Sequence, residues 1–165
     1  VSATFDNKDK TVIDLINEYK HLELFPFGRL DKDTEGLLVI SNDGMLAHDL
    51  LSPKKHVDKT YYAIVKGHLS ESLIAKFKEG FKVDEELYAL PAKLQILEHI
   101  TYNDEAASRI YITIHEGKFH QVKLMFESRG NKVTYLKRIK FGNITLDESL
   151  KEGEYRLLKA EESVF

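Results

Sequence analysis

The sequence predicts an α+β fold in which helices flank a mixed, largely antiparallel sheet. Residues 109–115 alternate strictly, so that three isoleucines share one face of a strand. A turn-forming Asn-Asp-Glu segment at 103–105 joins this strand to another at 92–98, which predicts an antiparallel hairpin. The other predicted elements are strands at 37–40, 59–67 and 133–141 and helices at 11–16, 44–51, 70–80 and 116–126.

The N-terminal elements follow from local patterns. Thr11 is placed to cap a short helix over 11–16. The apolar run 37–40 is bounded by turn residues, which is typical of a buried strand. The helix over 44–51 is expected to turn four side chains inward: Met45, Leu46, Leu50 and Leu51.

A strand and a helix are predicted in the middle of the chain. In the strand 59–67, Tyr61 and Tyr62 are expected on opposite faces. In the helix 70–80, Ser70 is expected to cap the start and Gly80 to end it. The acidic stretch 81–91 is predicted to be irregular.

The helix predicted over 116–126 carries a lysine at the edge of its apolar face. That face is formed by Phe119, Val122, Met125 and Phe126, and Lys123 lies one turn from Phe119. A lysine in this position either meets an anion or extends to water, and the spacing leaves both open.

Length and composition indicate a single globular domain over 1–165. An arrangement of two lobes around one sheet is left open. The chain has no cysteine, which excludes disulfides, thiolate zinc sites and a cysteine nucleophile. The sequence shows neither an apolar run of membrane-spanning length nor a signal peptide, so we expect a cytoplasmic protein without membrane contact. A monomer is the default expectation.

Charge is distributed unevenly along the chain. The net charge is −3, yet residues 118–140 hold seven basic side chains against one glutamate. That segment is therefore near +6 and the remainder near −9. A basic stripe on an acidic body fits a protein that meets phosphate on one face only, although a solvated helix and strand would give the same pattern.

Asp31 lies between two glycines on the loop before the first buried strand. Gly28 and Gly36 permit backbone angles that other residues avoid. Arg29 and Lys32 flank the carboxylate closely enough to keep it ionised. The loop is typical of a reactive site, while a solvated acidic turn is the simpler alternative.

Four motifs in order resemble the bacterial rRNA pseudouridine synthases, most of all the branch that modifies small-subunit (16S) rRNA. The resemblance covers about residues 4 to 162. Its motifs are Gly28-Arg29-Leu30-Asp31 with Thr34, Gly36-Leu37-Leu38 and Asn42-Asp43-Gly44; then Lys59-Thr60-Tyr61; then His120-Gln121 with Lys123; and last Leu136 with Arg138 through Leu146. One departure is Leu124, where family members usually have a second basic residue.

The resemblance implies a central active-site cleft and a role for each matched residue. The catalytic residues would be Asp31, Lys123 and Tyr61. Asp31 would be the reacting carboxylate and Lys123 its partner, and Tyr61 would line the uracil pocket, with a part in proton transfer left open. Leu136 would pack under the target base. The remaining matches would contact the substrate or RNA: Arg29, Thr34, His120, Gln121, Arg138 and Lys140. For His120 and Gln121, a mainly structural role is the other reading. Thr134, Leu136, Arg138 and Lys140 are expected to share a strand face.

The implied reaction converts a uridine of rRNA, free or in an assembling small-subunit particle, to pseudouridine without metal or cofactor. A large-subunit (23S) rRNA synthase of the same family is the alternative target class. Family members usually carry an S4-type RNA-binding module before this region, so we expect a catalytic core without that module and with weak RNA affinity.

Three other function classes remain open at this point. A glycosidase would pair Asp31 with Asp33 or Glu35. A metal-dependent nuclease would use Asp31, Asp43 and Asp49. A non-catalytic RNA-binding module would keep the basic stripe and have no requirement for Asp31.

Overall fold

The computed structural model describes residues 1–4, 6–19, 21–51, 57–118 and 120–163. The strands are β1 Phe25–Phe27, β2 Glu35–Gly36, β3 Val39–Ser41, β4 Lys59–Lys66, β5 Phe81–Lys82, β6 Tyr88–Ala89, β7 Lys93–Tyr102, β8 Glu105–Ile114, β9 Val133–Phe141 and β10 Ile144–Thr145. The helices are α1 Gly44–Leu51, α2 Ser72–Glu79 and α3 Gln121–Glu127, with single 3-10 turns at Ile13–Leu15 and Ala160–Ser163.

The main sheet has the strand order β10-β9-β4-β8-β7, and β2 pairs with the β9 edge. Every pairing is antiparallel except β2 with β9, which is parallel. The predicted α+β class with a mixed, largely antiparallel sheet is therefore confirmed. The predicted hairpin is also confirmed, and its strands are longer than expected because Asn103 and Asp104 both take positive φ and close a tight turn.

The described residues form two apolar clusters. The larger joins one sheet face to α2 and α3 and includes Ile110, Ile112, Phe77 and Phe126. The smaller joins β1, β3 and α1 to the end of β9, through Phe27, Val39, Leu50, Phe141 and Ile144. The loop that carries Asp31 is therefore anchored to the smaller cluster at both ends, by β1 before it and by β3 after it.

The single strand predicted over 37–40 is wrong, because this segment has two different partners. Leu37 donates its N–H to the Arg138 carbonyl at 2.8 Å, which continues the β2–β9 pairing. Val39 pairs instead with Phe27 in the β1–β3 ribbon. An apolar run alone does not show where a chain leaves one sheet for another.

The predicted helices are present, with shorter or shifted starts. The helix expected over 11–16 is one 3-10 turn, and the Thr11 hydroxyl accepts a 3.3 Å hydrogen bond from the Asp14 N–H. The start of α2 is at Ser72, and the predicted Ser70 cap is wrong because its hydroxyl contacts the Ser72 hydroxyl. Backbone φ at His120 is 51°, so α3 starts only at Gln121.

Two further expectations differ in detail. Met45 is 83 % exposed, so its predicted inward orientation is wrong; Ala47 is buried instead. Residues 81–91 include the hairpin β5–β6 and are not wholly irregular. Phe119, predicted on the apolar face of α3, lies outside the described residues.

None of the described helices is long and apolar enough to cross a membrane.

Candidate active site

The backbone around Asp31 is fixed on both sides. The Thr34 N–H donates to the Asp31 carbonyl at 2.9 Å and closes a tight turn. The Leu30 N–H donates to the Ser2 hydroxyl at 3.1 Å, so the N-terminal segment supports the loop from beneath. These two hydrogen bonds restrain the backbone on both sides of Asp31 and leave its carboxylate free for other contacts.

A histidine and a lysine at the start of α3 contact the Asp31 carboxylate. His120 Nε2 lies 3.3 Å from one carboxylate oxygen, and Lys123 Nζ lies 3.4 Å from the other. The Asp31 side chain is 25 % exposed, so it can still be reached from solvent. The structure thus brings Lys123 to Asp31, as the sequence predicted.

Lys123 serves a second carboxylate that sequence reasoning did not assign to it. Its Nζ lies 2.5 Å from Asp33 Oδ1, closer than it lies to Asp31. Partial burial lowers the pKa of Lys123, but the Asp33 hydrogen bond and the Asp31 charge outweigh this and raise its pKa. The same hydrogen bond lowers the pKa of Asp33. Asp33 follows Asp31 by two residues on the same loop, and this spacing could have indicated that one lysine contacts both carboxylates.

Tyr61 and Leu136 lie on one face of the sheet beneath α3. Tyr61 opposes Arg138 across the β4–β9 pair, and Leu136 opposes Ala63. Both Tyr61 and Leu136 are nearly buried, at 8 % and 6 % exposed, and belong to the larger cluster. Two such neighbouring side chains can form one wall of a pocket for a flat ring. Tyr62 is on the other face, as predicted.

Arg138 lies beneath the surface, so it is not positioned for the direct RNA contact that the resemblance implied. It is 2 % exposed, and its Nε donates to the Leu37 carbonyl at 2.9 Å. Together with the Leu37 N–H bond to the Arg138 carbonyl, this contact fastens the end of the Asp31 loop to β9. Arg138 therefore positions the loop.

Lys140 does not share the face of Leu136 and Arg138, so that prediction is also wrong. Thr60 opposes Lys140 while Tyr61 opposes Arg138, which leaves Ile139 as an extra residue in a bulge. A bulge of one residue moves the next side chain to the other face. Lys140 is exposed on that opposite face.

The remaining predicted site residues divide into buried and exposed ones. Gln121 is 3 % exposed and donates to Glu116 Oε1 at 2.7 Å, which favours its structural role over RNA contact. Thr34 has a buried hydroxyl without a hydrogen-bond partner among the described residues. Arg29 is exposed on the Asp31 loop. His120 is half-buried against Asp31.

The other acids named for competing functions have different contacts. Glu35 accepts a 2.7 Å hydrogen bond from the Tyr135 hydroxyl, and Asp43 caps α1 through the Leu46 N–H at 2.9 Å. Asp33 shares the lysine of Asp31. Within the described ranges, no group of three histidine or acidic side chains is arranged to hold a metal ion.

Comparisons with known proteins converge on one family. A family model described as RNA pseudouridylate synthase matches residues 1–128. An uncharacterized RNA pseudouridine synthase of Bacillus subtilis is 48 % identical over 98 % of this chain and 66 % of that protein. A ribosomal small subunit pseudouridine synthase A of Vibrio cholerae is 40 % identical over 95 % of this chain and 65 % of that protein.

Solved structures agree with the fold. A crystal structure titled as a pseudouridylate synthase matches with a TM-score of 0.84 and 39 % identity, over 97 % of this chain and 66 % of that one. Human RNA pseudouridylate synthase domain containing 1 matches with a TM-score of 0.58 at 18 % identity, over 84 % of this chain and 78 % of that one, which shows the fold alone. The chain spans about two thirds of the length of the curated relatives that it matches.

Proposed function

We propose, because this chain belongs to the RNA pseudouridylate synthase family, that it isomerises a uridine of rRNA to pseudouridine with Asp31 as the reactive carboxylate. Two relatives at 40 % and 43 % identity are ribosomal small subunit pseudouridine synthases A of Vibrio species, which supports 16S rRNA as the target class. A 23S rRNA target in the same family is the alternative.

The reaction needs a carboxylate rather than a redox or phosphoryl-transfer group. The N1–C1′ bond of the uridine breaks, the base turns, and C5 bonds to C1′. The hydrogen at C5 leaves as a proton and N1 gains one, so the product is an isomer. A carboxylate near C1′ and C6 assists both the cleavage and the rejoining, by covalent addition or through an elimination intermediate.

One observation carries the proposal: Asp31 is held between His120 Nε2 and Lys123 Nζ at 3.3 and 3.4 Å, on a loop whose backbone is fixed. The Lys123 ammonium attracts the Asp31 carboxylate and holds it toward the start of α3. A nucleophile or a proton acceptor needs such a fixed position. The two contacts also restrict the rotation of the Asp31 side chain.

The neighbouring residues take supporting roles in the proposal. Tyr61 would stack on the uracil and Leu136 would pack beneath it, since they are adjacent on one sheet face. Arg29, exposed two residues before Asp31, would fill the space of the flipped base or contact phosphate. Flipping costs a few kcal/mol, which such contacts offset.

The experiment that tests the proposal locates the product in RNA. Small-subunit rRNA, free or in its assembling particle, is incubated with the protein, treated with carbodiimide and read by primer extension. We expect one new stop with the parent protein and with Asp33→Asn, and none with Asp31→Asn. Asp33→Asn is the matched control because it makes the same chemical change on the same loop at the shared lysine.

Other outcomes decide between the alternatives. A stop only in large-subunit rRNA would move the target to the 23S class. No stop in either rRNA, alongside RNA binding that is equal for the parent and Asp31→Asn, would favour a non-catalytic RNA-binding module and refute the proposal.

A further inference from the structure

Two buried cations, Lys59 and Arg138, lie close together on the sheet face that carries Tyr61. Lys59 is 9 % exposed and Arg138 is 2 % exposed. Both approach the ring of Phe141: Lys59 Nζ is 5.8 Å from the ring centre and the Arg138 guanidinium carbon is 5.4 Å from it. Lys59 is two residues before Tyr61 on β4, so their side chains share a face.

Neither cation has an anionic partner among the described residues. Lys59 Nζ makes a long 3.4 Å hydrogen bond to the Val57 carbonyl in addition to its contact with the ring. Arg138 Nε donates to Leu37, but its Nη2 is buried without a hydrogen-bond partner. Two like charges are thus removed from water without a counter-ion between them.

The carboxylates that influence Lys59 are committed to other partners. Asp58 bonds to His115 Nδ1. Glu116 accepts from Gln121 Nε2 at 2.7 Å. Burial lowers the pKa of Lys59, and the charge of Arg138 lowers it further, against the opposing effect of the two carboxylates.

A buried charge without a partner destabilises a fold, so its retention points to a use outside the fold. Lys59 lies next to an exposed glycine: a Cβ built at Gly117 would be 3.8 Å from Lys59 Nζ. A buried cation without an anionic partner beside an exposed glycine is suited to an external anion.

We propose that Lys59 binds a backbone phosphate of the RNA substrate, with Arg138 strengthening the positive potential behind it. The inference rests on the proposed function, which supplies a polyanion as substrate. Each nucleotide carries its phosphate a short distance from its base, and Lys59 lies one side-chain repeat along β4 from Tyr61. A uracil at Tyr61 would therefore have a phosphate within reach of Lys59.

Lys59→Met tests the proposal, because methionine keeps the length and removes the charge. Binding of a short single-stranded RNA containing uridine is measured over a range of salt concentrations, together with Tm of the free protein. We expect Kd to rise about tenfold. The slope of log Kd against log salt should fall by about one. Tm should stay equal or rise, since a buried unpaired charge has been removed.

Two further variants sharpen the reading. Lys66→Met is the matched control: it removes the same charge from the exposed far end of β4, where Lys66 pairs with Glu105 at 3.2 Å. We expect it to change Kd by less than about twofold. Gly117→Ala places a methyl group in ordinary contact with the amine, and we expect it to weaken RNA binding without lowering Tm.

The contrary results are distinct. A fall in Tm with an unchanged salt slope in Lys59→Met would assign the lysine to the fold and overturn the proposal. Unchanged RNA binding with lost turnover in Lys59→Met would assign Lys59 to the base chemistry and also overturn the proposal. The proposal would also be overturned if the parent protein bound no RNA at low salt. Loss of pseudouridine formation in the parent contradicts the proposed function alone, because the salt slope is measured without any reaction.

Discussion

Gly36→Ala should destabilise the fold strongly, because the added methyl group would clash with the backbone of β9. Gly36 has φ of +112°, and a Cβ at this position would lie 2.2 Å from the Arg138 carbonyl oxygen and 2.6 Å from its backbone nitrogen. All the atoms that it meets are backbone, so no side-chain rotation relieves the clash. β2 must then separate from β9.

The magnitude follows from the contacts that are lost. Separation breaks the Leu37 N–H bond to the Arg138 carbonyl at 2.8 Å and the Arg138 Nε bond to the Leu37 carbonyl at 2.9 Å. Each contributes about 1 kcal/mol. A non-glycine residue at positive φ adds about 1–2 kcal/mol. We therefore expect a loss of about 3 to 4 kcal/mol in the free energy of unfolding.

Gly130→Ala is the matched control, because it separates the two causes. Gly130 also has positive φ, +82°, but its Cβ would meet nothing within 4 Å. Only the strain of about 1–2 kcal/mol should remain. Urea unfolding of both variants measures the difference, and pseudouridine formation by Gly36→Ala should fall as the Asp31 loop loosens. Equal losses of stability in the two variants would refute the close packing of β2 on β9.

Two more substitutions test individual contacts. Lys123→Met should lower single-turnover pseudouridine formation about a hundredfold, because it removes the cation beside Asp31. Lys32→Met makes the same change at an exposed lysine of the Asp31 loop and should have little effect. Equal activities of the two variants would show that Lys123 is not part of the site. Arg156 lowers the pKa of Glu162 to about 2, from an unfolded value of about 4.3, so the stability lost in Arg156→Gln should be constant near neutral pH and shrink as pH falls below about 4. Urea unfolding at several pH values measures this, and a gap that widens in acid would contradict it.

The parts of the fold that the sequence predicted are those with a strong local pattern. The alternation in β8 and the β-rich run of β4 depend on neighbouring residues only, and both strands are present. The division of 37–40 between two sheets depends on partners far along the chain. The bulge at Ile139 likewise comes from pairing with β4, and no residue type in β9 signals it.

The candidate site shows the same limit. The contact between Lys123 and Asp31 was predictable only through the family resemblance, which pairs these two motif positions. The spacing of the lysine alone left an anion or water open. The burial of Arg138 was not, because an arginine in a strand reads as exposed unless its neighbours across the sheet are known. Lys59 was passed over for the same reason: its isolation from carboxylates is a property of packing.

Release of hydrogen from uridine C5 tests the central claim most directly. RNA labelled with tritium at C5 loses the label to water only when C5 bonds to C1′. The account predicts release with the parent protein and with Asp33→Asn, and a rate at least about a thousandfold lower with Asp31→Asn. Release by Asp31→Asn at the rate of the parent would contradict the assignment of Asp31 as the reactive carboxylate.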